Sequence, residues 1–229
     1  MYVITMKGPE MKDKKSKKII IVDYNLGNLY SVKHACEFVG LNAVITSDKN
    51  DLINADAAIL PGVGAFGDAM NNLKTLDLIN PIKDFISSGK PFMGICLGLQ
   101  LLFSESEEFG NFGGLNIIEG EVKKFPVIKD NNRVKVPQIG WNKIYRDCSL
   151  KEWNDSPLEK IKNEEYMYFV HSFYVEPEDT SVKLTFTEYC NIKYTSSILC
   201  KNIFACQFHP EKSAHEGIKI YKRWLLGLK

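Results

Sequence analysis

Apolar positions along the chain fall into two textures. In the first half, short unbroken apolar runs alternate with stretches of helical spacing. KIIIVDY (Lys18–Tyr24) is apolar at four consecutive positions and bounded by charge, the pattern of a strand buried on both faces. LYSVKHACEFVG then sets Leu29, Val32, Ala35, Cys36 and Val39 on one helical face, with His34 on or near the buried side and Gly40 as the stop. NAVITS and ADAAIL read as the next strands. The glycine-rich loop PGVGAFGDAM follows, and helical stretches run to about Ser88. KPFMGIC is the next strand and LGLQLLFSESEE the next helix. This repeated order predicts a mostly parallel sheet flanked by helices on both faces, with functional groups beyond the carboxyl ends of its strands. From about Gly114 short strands come in quick succession (LNIIEGEVKKFPVI, WNKIYR, YMYFVHSFYV, SVKLTFTEY, YTSSILC, IFACQF). They predict a mixed or antiparallel extension of the same sheet. The closing HEGIKIYKRWLLGL is amphipathic, with Ile218, Tyr221, Trp224 and Leu225 on one face. No linker or repeat interrupts residues 18–229, which read as one α/β domain. Residues 1–17 read as a basic N-terminal tail.

Composition changes this picture little. The 229 residues are 45% hydrophobic and 25% charged, with a formal net charge of +1. That balance gives no reason to expect a nucleic-acid or membrane partner. No apolar stretch is long enough to span a bilayer, and the basic start lacks the apolar region of a signal peptide, so the expected location is cytoplasmic. The six cysteines (36, 96, 148, 190, 200 and 206) include no C-x-x-C pair and no zinc-like spacing. Reduced thiols and no metal or cofactor are expected.

One cysteine stands apart. Gly94-Ile95-Cys96-Leu97-Gly98 has the form of a nucleophile elbow with Cys in place of Ser. A sharp strand-to-helix turn strains the nucleophile's backbone and needs small neighbours. It sets the thiol at a helix N-terminus, where the thiolate is favoured, and turns the Leu97 N–H toward a substrate oxygen. Alone, the pattern equally describes a buried core thiol. A nucleophile needs a base, and His34, His171, His209 and His215 are the four histidines. His215 opens the last helix and is expected to be exposed. His209, in ACQFHPEKS, directly follows an apolar strand, at the rim where Cys96 is expected. In an extended segment Glu211 projects to the same side and orients the imidazole; the competing reading is a surface H-P-E turn. Gln100, one helical turn after Cys96, suits recognition of an amide or an α-amino acid, unless it faces solvent. PGVGAFGDAM can present backbone N–H groups to an oxyanion, and no G-K-[ST] follows to make it a phosphate loop.

PGVGAFGDAM, GICLGLQLLF, VPQIGWN, YFVHSFY and FHPEKS occur in this order. From about Lys18 onward the chain resembles the glutaminase subunits of imidazole glycerol phosphate synthase, class I glutamine amidotransferases of histidine biosynthesis. The resemblance implies a Cys96–His209–Glu211 triad that hydrolyses glutamine. It implies oxyanion donors on Val63 and Leu97, glutamine contacts from Gly64, Gln100, Glu108, Ser172 and Phe173, and partner-facing positions at Asn28, Tyr168 and Lys212. It further implies a heterodimer with a separate (β/α)8 cyclase subunit that receives the ammonia and makes imidazole glycerol phosphate and aminoimidazole carboxamide ribotide, with little glutaminase activity until the loaded partner docks. Two features depart from the family: Gln138 stands where histidine is common, and the N-terminal tail has no counterpart in compact members. Three rival readings remain at this level: a paralogue supplying ammonia for amidination of a surface-polysaccharide sugar, a stand-alone γ-glutamyl hydrolase or peptidase, and a non-catalytic docking subunit.

Overall fold

The computed structural model describes residues 17–129, 132–146 and 153–226. Most of the basic tail, and Cys148, lie outside the described residues.

The first half winds as β1 (Lys18–Val22), α1 (Leu29–Phe38), β2 (Asn42–Thr46), α2 (Lys49–Ile53), β3 (Ala57–Gly62), α3 (Phe66–Thr75), α4 (Ile79–Ser87), β4 (Phe92–Cys96) and α5 (Leu97–Gln100). Strand-rich chain follows: β5 (Phe103–Ser106), β6 (Phe112–Gly113), β7 (Ile118–Lys124), β8 (Ile128–Lys129), β9 (Asn132–Arg133), β10 (Gln138–Arg146), β11 (Glu165–His171), β12 (Phe173–Pro177), β13 (Lys183–Tyr189), β14 (Ile192–Cys200) and β15 (Ile203–Cys206). The chain closes with α6 (Ala214–Leu226).

The main sheet runs β2-β1-β3-β4-β15-β14-β12-β7-β5-β6. Pairing is parallel from β2 to β15 and antiparallel from β15 through β14 and β12 to β7. β13, β10 and β11 extend antiparallel from β14. This is the predicted α/β architecture with its antiparallel extension. The parallel strands are buried on both faces because their side chains alternate between two cores. Ile19 and Ile21 of β1 pack with Val32 and Cys36 of α1 and Tyr221 of α6, while Ile20 and Val22 pack with Leu73 of α3 and Ile82 and Phe85 of α4. Truncating such a fully buried isoleucine to alanine costs about 2–5 kcal/mol.

Four expectations need correction. His34 is exposed and pairs with Glu37 at 3.4 Å. The buried face of α1 is Val32, Ala35 and Cys36, and position 34 projects away from it. The helix after Cys96 is a single turn, and Phe103–Ser106 is strand. Leu101, Leu102 and Phe103 are consecutive and fully buried, which a surface helix cannot satisfy with its one apolar stripe. Pro61 and Gly62 belong to β3, so the glycine-rich connection shrinks to Val63–Ala65. In α6 the buried face is Gly217, Ile220, Tyr221 and Trp224, with Ile218 only partly covered; the Leu225 side chain lies outside the described part.

Candidate active site

Two neighbouring parallel strands build the site. β4 and β15 pair in register from Phe92↔Ile203 to Ile95↔Cys206, so their carboxyl ends emerge side by side. On the other flank Gly62, the last residue of β3, is opposite Cys96. Three strand ends therefore deliver Cys96, the segment Gln207–Glu211 and the loop Val63–Gly64 to one edge of the sheet.

Cys96 sits at φ +55°, ψ −108°, a conformation that L residues rarely adopt. Such strain of about 1–3 kcal/mol persists only where the surroundings enforce it. The two flanking glycines allow the bend. A Cβ on Gly98 would stand 1.8 Å from the Leu60 carbonyl oxygen, and one on Gly94 would meet the Gly98 carbonyl oxygen at 2.9 Å and the Ala205 Cβ at 3.0 Å. α5 is only one turn long, too short to build a substantial dipole.

His209 is 2% exposed, and its Nδ1 lies 2.8 Å from Glu211 Oε1, a carboxylate whose side chain is 1% exposed. Proline 210 starts a short 3₁₀ turn, Pro210–Lys212, that curls Glu211 back to the imidazole. The pair thus forms through a turn, and not through the extended segment expected from the sequence. Burial by itself would depress the His209 pKa. The Cys96 charge and its hydrogen bonding, then Glu211, outweigh burial and push it up to about 10. Nδ1 faces Glu211, and the buried Nε2 has no partner that satisfies standard hydrogen-bond geometry. Cys96 is nevertheless close enough to be the strongest influence holding the imidazole protonated.

A cavity of about 290 Å³ opens over the sulfur, lined by Cys96, Leu97, Val63, Gly64, Gln100 and Glu108, with Pro137, Val170, His171, Ser172 and Phe173 closing it. Its size is at the small end of ligand pockets. The residues expected to contact glutamine all line it. His209 and Glu211 stand behind the sulfur, outside the lining. Gln100 is buried and donates its Nε2 hydrogens to the Phe173 carbonyl and to Gln207 Oε1, both at 3.0 Å. Its own Oε1 is left as the free polar atom. Glu108 accepts from the Phe66 N–H at 2.6 Å, and burial raises its pKa despite that bond. His171 is held neutral, its pKa lowered to about 4 by burial. A larger concavity of about 550 Å³ lies by Pro91 and Asn202, at the opposite ends of β4 and β15, and neither cysteine nor histidine lines it.

Tyr168 and Lys212 flank this edge, with Lys212 Nζ 5.7 Å from the Tyr168 ring centre and the Tyr168 carbonyl accepting from the His209 N–H at 2.9 Å. Asn28 begins α1 in the turn after β1. His215 is exposed, as expected. Sequence reasoning overlooked Gln207, which contacts the sulfur, and His171, which lines the cavity. Nothing local in the sequence marked the first, an amide inside an apolar segment.

Fold and site together define a class I glutamine amidotransferase. Residues 20–227 match the family "Glutamine amidotransferase class-I". Among solved structures, PurLQS from Thermotoga maritima superposes with a TM-score of 0.66 at 20% identity, covering 93% of this chain and 100% of that one. The imidazole glycerol phosphate synthase subunit HisH of Aquifex aeolicus is 46% identical over 208 residues, 90% of this chain and 95% of its own length. The protein of that name from Caldanaerobacter subterraneus is 47% identical over 205 residues, 89% of this chain and 95% of its length. The chain belongs to the HisH family of class I glutamine amidotransferases.

Proposed function

We propose that the chain hydrolyses glutamine to glutamate and ammonia and passes the ammonia to a separate (β/α)8 cyclase subunit, which makes imidazole glycerol phosphate and aminoimidazole carboxamide ribotide in cytoplasmic histidine biosynthesis. The observation that carries the reading is a strained cysteine at the floor of an amino-acid-sized cavity, backed by a buried histidine–carboxylate pair. The Cys96 thiolate attacks the side-chain amide carbon, and the negative charge that develops on oxygen is met by the backbone N–H groups of Leu97 and Val63. The His209 imidazolium, oriented by Glu211, gives its proton to the departing nitrogen, which leaves as ammonia. Water, deprotonated by the now neutral His209, hydrolyses the glutamyl thioester and restores the thiolate. Gly64, Gln100, Glu108, Ser172 and Phe173 hold the substrate, with Glu108 suited to an α-ammonium group.

Ammonia is mostly protonated near neutral pH and is then no nucleophile, which is the physical reason to deliver it through an interface. An apolar face next to the site suits such a partner. Ile139 and Trp141 of β10 are 59% and 52% exposed and stand opposite Val170 and Tyr168 of β11. Trp141 and Tyr168 meet edge to face at 6.1 Å, and Asn28 and Lys212 belong to the same docking rim in this proposal. The test is glutaminase turnover of the chain with its cyclase, with and without the cyclase substrate. Activity that requires both, and that disappears in Cys96→Ala while the complex still forms, supports the reading. Glutamyl-peptide turnover by the chain alone, or unchanged activity of Cys96→Ala, would overturn it.

A further inference from the structure

A buried chain of hydrogen bonds ends at the reactive sulfur, and its directions follow from its chemistry. The Phe173 carbonyl can only accept, so the Gln100 atom 3.0 Å away must be the amide nitrogen. That nitrogen's other hydrogen points at the Gln207 amide, 3.0 Å away, which must therefore present its oxygen. The Gln207 nitrogen is then fixed toward Cys96 Sγ, at 3.6 Å. Turning either amide over would set two donors or two acceptors against each other inside a site with no solvent to relieve the conflict: Gln207 is fully buried. The second arm at the Phe173 carbonyl is set the same way, by the His171 Nδ1–H at 2.7 Å.

From this geometry we infer that Gln207 is a further catalytic residue: its side-chain N–H stabilises the Cys96 thiolate and its side-chain oxygen locks Gln100 so that only a carbonyl faces the substrate. Besides His209, the sulfur lies near the Val170 carbonyl at 3.9 Å, which can accept from a thiol and can only repel a thiolate. Gln207 therefore supplies what that carbonyl opposes. A donor aimed at an ionised sulfur strengthens as charge develops on it. Locking Gln100 has a consequence for selectivity. Among the described residues no hydrogen bond reaches its Oε1, and Gln100 lines the cavity, so that oxygen would accept from a ligand N–H and repel a carboxylate. The side-chain amide of glutamine has that N–H and the side-chain carboxylate of glutamate does not.

The inference rests on Cys96 being the nucleophile, and the experiment separates the two. The wild-type chain and two apolar replacements, Gln207→Met and Gln207→Leu, are treated with iodoacetamide at one pH. Labelling of Cys96 is read by peptide mass against Cys190, an exposed thiol of the same chain. Using two replacements keeps one that packs badly from deciding the matter, and circular dichroism shows which of them are folded. In folded variants the Cys96-to-Cys190 rate ratio should fall roughly tenfold, the size expected for losing one charge-assisted hydrogen bond. In complex with the cyclase, kcat for glutamine should fall by a similar factor in Gln207→Met, and KM should rise as well, because the Gln100 amide that lines the cavity loses its lock. A purely structural role would lower the melting temperature and leave the rate ratio of the folded protein unchanged. That unchanged ratio, seen beside fast wild-type labelling of Cys96, overturns the Gln207 assignment alone. Wild-type Cys96 labelling no faster than Cys190 overturns the nucleophile reading and this inference with it.

Discussion

Gly98→Ala is the smallest change that should disable the site without touching a reactive atom. The added Cβ would stand 1.8 Å from the Leu60 carbonyl oxygen, against the 3.0 Å below which such contacts essentially do not occur. A gap of about 1.2 Å must therefore open between the start of α5 and β3. Neither side gives easily. Leu60 pairs with Gly94 in the middle of the sheet, and Leu97, Leu99 and Leu101 around position 98 are buried. Overpacking of this kind costs about 1–3 kcal/mol. In a chain of this length that is roughly 2–12 °C in melting temperature. The larger effect falls on chemistry. Cys96 is two residues away on the same bend, and a displacement near 1 Å at a reacting group can cost about 100-fold in rate. Glutaminase turnover of the complex, from glutamate release, and a thermal melt give both numbers. Gly113→Ala is the control, because a Cβ there meets nothing within 4 Å and the backbone is ordinary; it should be silent in both assays. Wild-type turnover and melting for Gly98→Ala would refute the claim that close β3–α5 packing holds the nucleophile in place.

Four further outcomes are expected. Glu211→Gln removes the carboxylate 2.8 Å from His209, so the imidazolium loses its proton at lower pH and the alkaline limb of kcat/KM moves down by about 1–3 units; a pH–rate profile measures it. The same raised pKa sets a stability window: the imidazolium's contribution is complete below about pH 6.5 and is lost as the pH rises through about 10, so denaturant titrations of wild type and His209→Asn should converge across that range. Glu108→Gln should raise KM for glutamine by roughly tenfold or more while kcat changes little, since the carboxylate lines the cavity without reaching the sulfur's base. Trp141→Ala should weaken cyclase binding by roughly 30-fold at an unchanged melting temperature, because the ring is half exposed in the isolated chain; calorimetric titration would show it.

What the sequence determined by itself is what local rules govern. Short apolar runs such as Ile19–Val22, alternating with stretches of helical spacing, marked the α/β class. Gly94 and Gly98 around Cys96 mark a bend that excludes side chains, which marked the candidate nucleophile. Where more than one local answer was available, tertiary packing chose. The apolar run Leu101–Phe103 fits a helix or a strand by pattern, and pairing of Phe103 with Ile118 made its end a strand. His34 could be assigned to the buried side only by ignoring how far it lies from Val32 and Cys36 around the helix. Glu211 reaches His209 through a 3₁₀ turn that Pro210 permits and the sequence did not require. Gln207 was invisible for a different reason: an amide in an apolar segment shows no purpose until its partners, Gln100 and Cys96, more than 100 residues away, are brought against it. Hydrophobic periodicity acts over a few residues, so it fixes elements. Register between strands acts across the whole chain, so only the assembled sheet fixes which side chains meet.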